Sequence, residues 1–264
     1  MITRLVLAAL TTSFATSAAL AQAAESPKPV RLILVGDSTM ASNSGYGDAF
    51  CARVHRANTC INLAKGGRSS GSFRAEGRWD EVEGLLRGAA AYRTTYVLIQ
   101  FGHNDQPGKP GRSTDLATEF PANMARYAQE VKALGGIPVL VTPLTRRSFR
   151  DGVLQNNLLP WADVIRATAR AQGTPLLDLN ADSYAAVQAM GPQQADTLAV
   201  EPPPANQDAA ALTPGKVEVA GAAKSAFDYT HVGPKGAAYF ADMVVGEMKT
   251  AVPASASLFI AARP

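Results

Sequence analysis

Short apolar runs with no polar alternation recur along the chain. They are Val30 to Gly36 (VRLILVG), Thr95 to Gly102 (TYVLIQFG), Ile137 to Thr142 (IPVLVT) and Thr174 to Leu179 (TPLLDL), with Thr59 to Ala64 (TCINLA) a shorter fifth. A strand apolar on both faces must be covered on both faces, which is the habit of parallel sheets. Between these runs the apolar positions change to helical spacing: Tyr46, Ala49, Phe50 and Val54; Val82, Leu85 and Leu86; Met124, Tyr127, Val131 and Leu134; Leu159, Ala162, Val164, Ile165 and Ala169. A last helix, about Lys235 to Thr250, places Ala237, Phe240, Ala241, Val244 and Met248 on one stripe. Strands alternating with helices predict an α/β fold around a parallel sheet, as a single domain over residues 24–264. The segment from about Asp196 to Phe227 breaks the alternation. It is rich in Ala, Pro and Gly, with Pro202, Pro203 and Pro204 in a row, and reads as a long surface excursion, either disordered or packed against the surface, or else a lid or binding loop facing the substrate.

Composition narrows the chemistry. The 264 residues are 47% apolar, enough for a sizeable core, and 25 Lys and Arg against 22 Asp and Glu leave too little excess charge to wrap a nucleic acid. Two Cys and three His cannot furnish a zinc finger, an iron–sulfur cluster or a His-rich two-metal centre, so no metal is expected. Residues 1–23 read as a signal peptide: Arg4 precedes a run from Leu5 to Leu20, and the small residues Ala19 and Ala21 follow the cleavage pattern. Thr11, Thr12, Ser13, Thr16 and Ser17 make that run too polar and short for a membrane anchor. Export to a periplasmic or extracellular space is therefore expected. In an oxidising compartment Cys51 and Cys60 can pair, which by chain entropy adds about 2 to 3 kcal/mol.

Ligands of open parallel sheets collect beyond the carboxyl ends of the strands. Four polar clusters should meet there: Gly36-Asp37-Ser38-Thr39, Lys65-Gly66-Gly67-Arg68-Ser69-Ser70, Gly102-His103-Asn104-Asp105, and, before the last helix, Asp228-Tyr229-Thr230-His231. A serine hydroxyl is a weak nucleophile until a base takes its proton. His55 falls on the exposed side of a predicted helix and His103 in a strand-end loop, whereas His231 follows Asp228 by three residues. At a helix entrance that spacing puts both side chains on one side of a turn, the carboxylate orienting one ring nitrogen while the other faces outward. The Ser38 N–H, the Gly67 N–H and the Asn104 amide are candidates for an oxyanion hole.

At these residues the chain resembles the SGNH or GDSL hydrolase superfamily. Within it, GDSTMA from Gly36, NLAKGGRSSGSFRAEGRWD from Asn62, FGHND from Phe101, TPLTRRSF from Thr142 and DYTHVGPKGA from Asp228 are most similar to the rhamnogalacturonan acetylesterase group. The resemblance implies a three-layer α/β/α, flavodoxin-like fold with a five-stranded parallel sheet. It also implies Ser38 as nucleophile, His231 as base then acid, Asp228 as orienting partner, and an oxyanion hole of Ser38, Gly67 and Asn104, with no cofactor. The extra Gly66 leaves open which glycine amide donates. The expected substrate is an acetylated carbohydrate, most similar to acetylated pectin, and a monomer is expected. Arg68, Arg146 and Arg147, with Lys65, lie in loops that should open on this edge and suit galacturonate carboxylates.

Three rivals stand beside this reading: a lipid esterase or thioesterase of the same mechanism, a metal-dependent phosphoesterase using Asp37, His103, Asp105, Asp228 and His231, and a non-catalytic carbohydrate-binding protein. Because the base must start neutral, ester hydrolysis should fall as the solution is acidified; a kcat/KM profile flat through the imidazole range would remove His231 from that role.

Overall fold

In the computed structural model, which describes residues 27–201 and 227–260, the chain opens with β1 (Val30–Gly36) and α1 (Gly47–Cys51). There follow β2 (Thr59–Asn62), α2 (Ser70–Ala75), α3 (Arg78–Arg87), β3 (Thr94–Gln100), α4 (Glu119–Ala133) and β4 (Ile137–Val141). The second half adds a hairpin of β5 (Phe149–Arg150) and β6 (Val153–Leu154), then α5 (Leu159–Gln172), β7 (Leu176–Leu177), α6 (Leu179–Asp196) and α7 (Pro234–Ala251). Five strands form one sheet in the order β2-β1-β3-β4-β7, every pair parallel. The signal peptide expected at residues 1–23, and residues 202–226 of the excursion, lie outside the described residues.

Strand alternation divides the core into two layers. Leu32, Leu34, Leu98, Val139 and Val141 face one side, where Phe50 of α1, Val187 of α6 and Phe240, Val244 and Met248 of α7 cover them. Ile33, Val35, Val97, Ile99 and Leu140 face the other, beneath Trp79 and Val82 of α3, Met124 and Tyr127 of α4 and Trp161 and Ile165 of α5. This is the three-layer α/β/α arrangement. It explains why the strands read as unbroken apolar runs: both faces are dry.

The departures from the periodicity have physical causes. The last strand contracts from the expected Thr174–Leu179 to Leu176–Leu177, because it is an edge paired only with β4 and α6 begins at Leu179. Helix α6 shows no clear apolar stripe: Asn180 and Ser183 are buried within it, and the helix is interrupted at Gly191, beside Pro192. Those buried polar groups serve the chain leaving β4. The Asn180 N–H donates to Thr142 Oγ1 (2.8 Å), its amide donates to the Pro143 carbonyl (3.0 Å), and Ser183 Oγ accepts the Thr145 N–H (3.1 Å). The hairpin turns at Asp151-Gly152, both with positive φ, a dipeptide suited to tight hairpins. The expected excursion is not all surface, since Leu198 and Phe227 at its described ends are buried and Ala199 bridges Val232.

Helix α1 stops at Cys51, so His55 is exposed in the turn beyond it rather than on a helix. Cys51 and Cys60, nine positions apart, are joined by a disulfide that fastens the end of α1 to the edge strand β2. Replacing both by Ala should lower the unfolding free energy by about 2 to 3 kcal/mol. Denaturant titration of the double variant checks this, and an unchanged midpoint would mean the link adds nothing.

Candidate active site

Gly36 ends β1, and the chain then turns sharply over the sheet edge. Asp37 is wholly buried, and its Oδ1 accepts the Thr39 N–H (2.9 Å) and the Thr39 hydroxyl (2.8 Å). The Thr39 hydroxyl also accepts from Gln100 Nε2 (2.7 Å) at the end of β3, and Gln100 in turn accepts the Tyr46 hydroxyl (2.7 Å). The loop folds back so closely that a Cβ at Gly45 would lie 2.2 Å from the Thr39 carbonyl carbon, which leaves room for glycine alone. This buried network holds half-buried Ser38 above the edge.

Ser38 Oγ lies 2.7 Å from His231 Nε2, and His231 Nδ1 lies 2.7 Å from Asp228 Oδ2. The second carboxylate oxygen, Oδ1, accepts the backbone N–H of Thr230 (2.8 Å) and of His231 (3.0 Å). The expected spacing therefore works through a turn built by the Asp228 side chain, not through the first turn of a helix, since α7 begins only at Pro234. Partial burial works against the charge of Asp228, but the hydrogen bonds from His231 and Thr230 hold its carboxyl well below the usual carboxylate range. The arrangement can deprotonate a serine, stabilise the resulting imidazolium and return the proton to a leaving group.

A glycine turn stands beside Ser38. Gly66 is close enough that a Cβ there would sit 3.6 Å from Ser38 Cβ, and Gly67 turns with φ +78°, a left-handed conformation suited to glycine. Among the described residues, the N–H groups of Ser38 and Gly67 have no acceptor. Asn104 is buried, its Nδ2 donates to the Arg68 carbonyl (3.0 Å), and its Oδ1 accepts from Arg112 Nη1 (3.3 Å).

The arginine expectations need correction. Arg147 is 1% exposed and turned inward: Nη2 donates to the carbonyls of Asp228 (2.6 Å) and His231 (2.8 Å), and its own N–H donates to the Tyr229 carbonyl (2.9 Å). It is a clamp behind the Asp228 turn rather than a substrate contact. Burial pushes its pKa down to about 10, with Asp228, Asp196 and Tyr229 opposing the shift, so it stays charged near neutrality. Arg146, also buried, is engaged by Gln106 Oε1 (2.9 Å), Asn157 Oδ1 (2.7 Å) and Thr230 Oγ1 (3.3 Å). Arg68 is committed to Glu76 (2.9 Å) and the Gly66 carbonyl (2.8 Å). Loop position in the sequence said where these side chains start. Only packing decides where their guanidinium groups end.

The five residues of the phosphoesterase alternative do not converge. His103 is buried with Nδ1 3.3 Å from Asp37 Oδ2, beneath the edge, and burial disfavours its protonated form. Asp105 accepts from Ser70 N–H (3.0 Å), Ser70 Oγ (2.6 Å) and Thr114 Oγ1 (2.9 Å). Burial pushes its carboxyl up to about 6 against those donors. Among the described residues no three His, Cys, Asp or Glu side chains are placed to hold a metal ion, and no helix is long and apolar enough to cross a membrane.

Residues 34–212 match the GDSL-like lipase/acylhydrolase family. The rhamnogalacturonan acetylesterase RhgT of Bacillus subtilis is 34% identical over 182 residues, covering 66% of this chain and 75% of RhgT. Among solved structures, YxiM of Bacillus subtilis superposes with a TM-score of 0.61 at 25% identity over 85% of this chain, which spans 57% of the YxiM chain. An acetylxylan esterase of Geobacillus stearothermophilus gives a TM-score of 0.55 at 17% identity, over 83% of this chain and 93% of its own, a likeness of fold.

Two measurements probe the Asp228 turn. Arg147→Met should raise amide exchange at Thr230 and His231 about tenfold or more while β3 stays protected; unchanged exchange would remove the clamp. A carboxylate with a depressed pKa stabilises the fold above its unfolded value and loses that contribution as pH falls. Asp228→Asn should therefore melt below the parent protein at pH 6, with the gap narrowing below about pH 4. A gap unchanged down to pH 3 would show that the charge does not hold the turn.

Proposed function

The chain belongs to the GDSL-like lipase/acylhydrolase family, and on that footing we propose that it is a serine esterase removing O-acetyl groups from a carbohydrate, rhamnogalacturonan or a related pectic polymer. The observation that carries the reading is the unbroken line Ser38, His231, Asp228, with 2.7 Å at each step. In the reaction His231 takes the Ser38 proton as Oγ attacks the acetyl carbonyl, and the N–H groups of Ser38, Gly67 and Asn104 receive the oxyanion. The sugar hydroxyl leaves with the proton from His231. Water activated by the same ring then releases acetate and frees Ser38.

The choice of an acetyl ester over a long acyl chain is supported by the relation to RhgT, which is an acetylesterase by name. The choice of pectic polymer is supported by the relation to RhgT. Export is part of the proposal. The Arg4-led apolar run at the amino terminus and the Cys51–Cys60 link, which persists in an oxidising compartment, support it.

The test is acetate release from acetylated pectin, acetylated xylan and aryl esters of increasing acyl length. The protein is expected to favour acetyl over longer acyl groups and acetylated pectin over xylan. Ser38→Ala should lose about a thousandfold or more in kcat. Retention of more than a few per cent of activity by Ser38→Ala, or a preference for long acyl chains, would overturn the reading.

A further inference from the structure

Asn104 carries the one side-chain donor of the proposed oxyanion hole, and a side-chain amide has a built-in ambiguity. Its oxygen and nitrogen ends have nearly the same shape, one only accepting and the other only donating. Turned over, Asn104 would aim a lone pair at a developing negative charge. Something must fix its orientation.

Arg112, which none of the expectations from sequence included, stands where it can do so. Its Nη1 is 3.3 Å from Asn104 Oδ1 and 3.3 Å from the Gly67 carbonyl oxygen, so one guanidinium nitrogen touches both the side-chain amide and the glycine turn. A guanidinium can donate but never accept, so it tolerates only the oxygen end of Asn104. With Oδ1 held there and one Nδ2 hydrogen on the Arg68 carbonyl (3.0 Å), the second Nδ2 hydrogen is left for a ligand. Arg112 forms no ion pair among the described residues, so no carboxylate draws its donors away from Asn104 and Gly67.

The loop that carries Arg112 is built to keep it in place. Ser113 Oγ donates to the Gln106 carbonyl (2.8 Å) and accepts the Lys109 N–H (2.9 Å). Thr114 donates to Asp105 from both its hydroxyl (2.9 Å) and its backbone (3.0 Å), locking the loop to the residue after Asn104. Arg112 also borders a cleft of about 440 Å³ between α2 and the start of α4. Glu119 shares that cleft, which argues against a pocket for an acidic sugar and for a role directed at Asn104.

We propose that Arg112 is a positioning residue for ester hydrolysis, orienting the Asn104 amide and the Gly67 turn so that their N–H groups face the oxyanion. This rests on the acetylesterase reading above. It predicts that Arg112→Met lowers kcat by about 10- to 100-fold with KM little changed, and equally for a neutral aryl acetate and for acetylated pectic oligosaccharides. Arg112→Lys, which keeps a donor-only cation, should recover most of the loss. Because Arg112 is argued to act through Asn104 as well as through the Gly67 turn, the double variant Arg112→Met/Asn104→Ala should lose clearly less than the product of the two single losses.

Additive losses in that cycle would overturn the proposal, as would full activity in Arg112→Met. So would a loss confined to KM for the acidic oligosaccharide, which would make Arg112 a carboxylate contact. If Arg112→Met fails to fold, Arg112→Lys and Arg112→Gln decide: Lys near parental kcat and Gln well below it supports the proposal, and equal rates overturn it. Failure of the acetylesterase reading looks different, as wild-type protein that turns over no acetyl ester, or Asn104→Ala at full activity.

Discussion

Ser38 and His231 lie 193 positions apart, and the hydrogen bond between them exists because a parallel sheet delivers the carboxyl end of every strand to the same edge. Antiparallel neighbours would send alternate loops to opposite edges. Here β1 presents Ser38, β2 the Gly66-Gly67 turn and β3 the His103-Asn104-Asp105 group side by side, and α7 returns the last segment across them. The two apolar layers cover both faces of the sheet behind that edge. Without both, the strands would have no reason to lie parallel and the polar clusters no reason to meet.

Directly beneath the edge the core becomes polar, and the way those groups are satisfied determines the shape of the site. Asp37, Thr39, Gln100 and Tyr46 join the turn after β1 to the end of β3. Asp105 joins the turn after β3 to α2 and to the Arg112 loop. Arg147 draws the Asp228 turn inward through two carbonyls, and the chain leading to it is held by Asn180 and Ser183 of α6. Buried polar groups of this kind are costly when half satisfied and orienting when satisfied. They lie here where a displacement of about an ångström would separate a nucleophile from its base.

Most of the architecture was legible because apolar runs buried on both faces leave an unambiguous trace. Strand β1 occupies the expected span residue for residue, and α4, α5 and α7 lie where their stripes predict. Helix α6 was not legible, since Asn180 and Ser183 interrupt its buried face for the sake of a neighbouring loop. The Asp151-Gly152 hairpin carries a turn signal, but its two-residue strands are too short to leave a periodic trace. The Asp228–His231 pairing was legible from their three-residue spacing, although the turn that joins the two is made by the Asp228 side chain rather than by a helix.

By itself the amino-acid order determined the fold class, the edge at which the chemistry gathers and the residue types that gather there, because backbone periodicity and the placement of Gly, Ser, Asn, Asp and His after strands are local properties. It could not determine what a long charged side chain does. Arg68, Arg146, Arg147 and Arg112 all sit in loops at one edge, and sequence treats the first three as equivalent while passing over the fourth. Each guanidinium lies several bonds from its backbone and goes wherever an acceptor in another part of the chain satisfies it. Tertiary structure alone decided that Arg147 supports the Asp228 turn from below, that Arg68 and Arg146 are occupied, and that Arg112 faces the amide of Asn104.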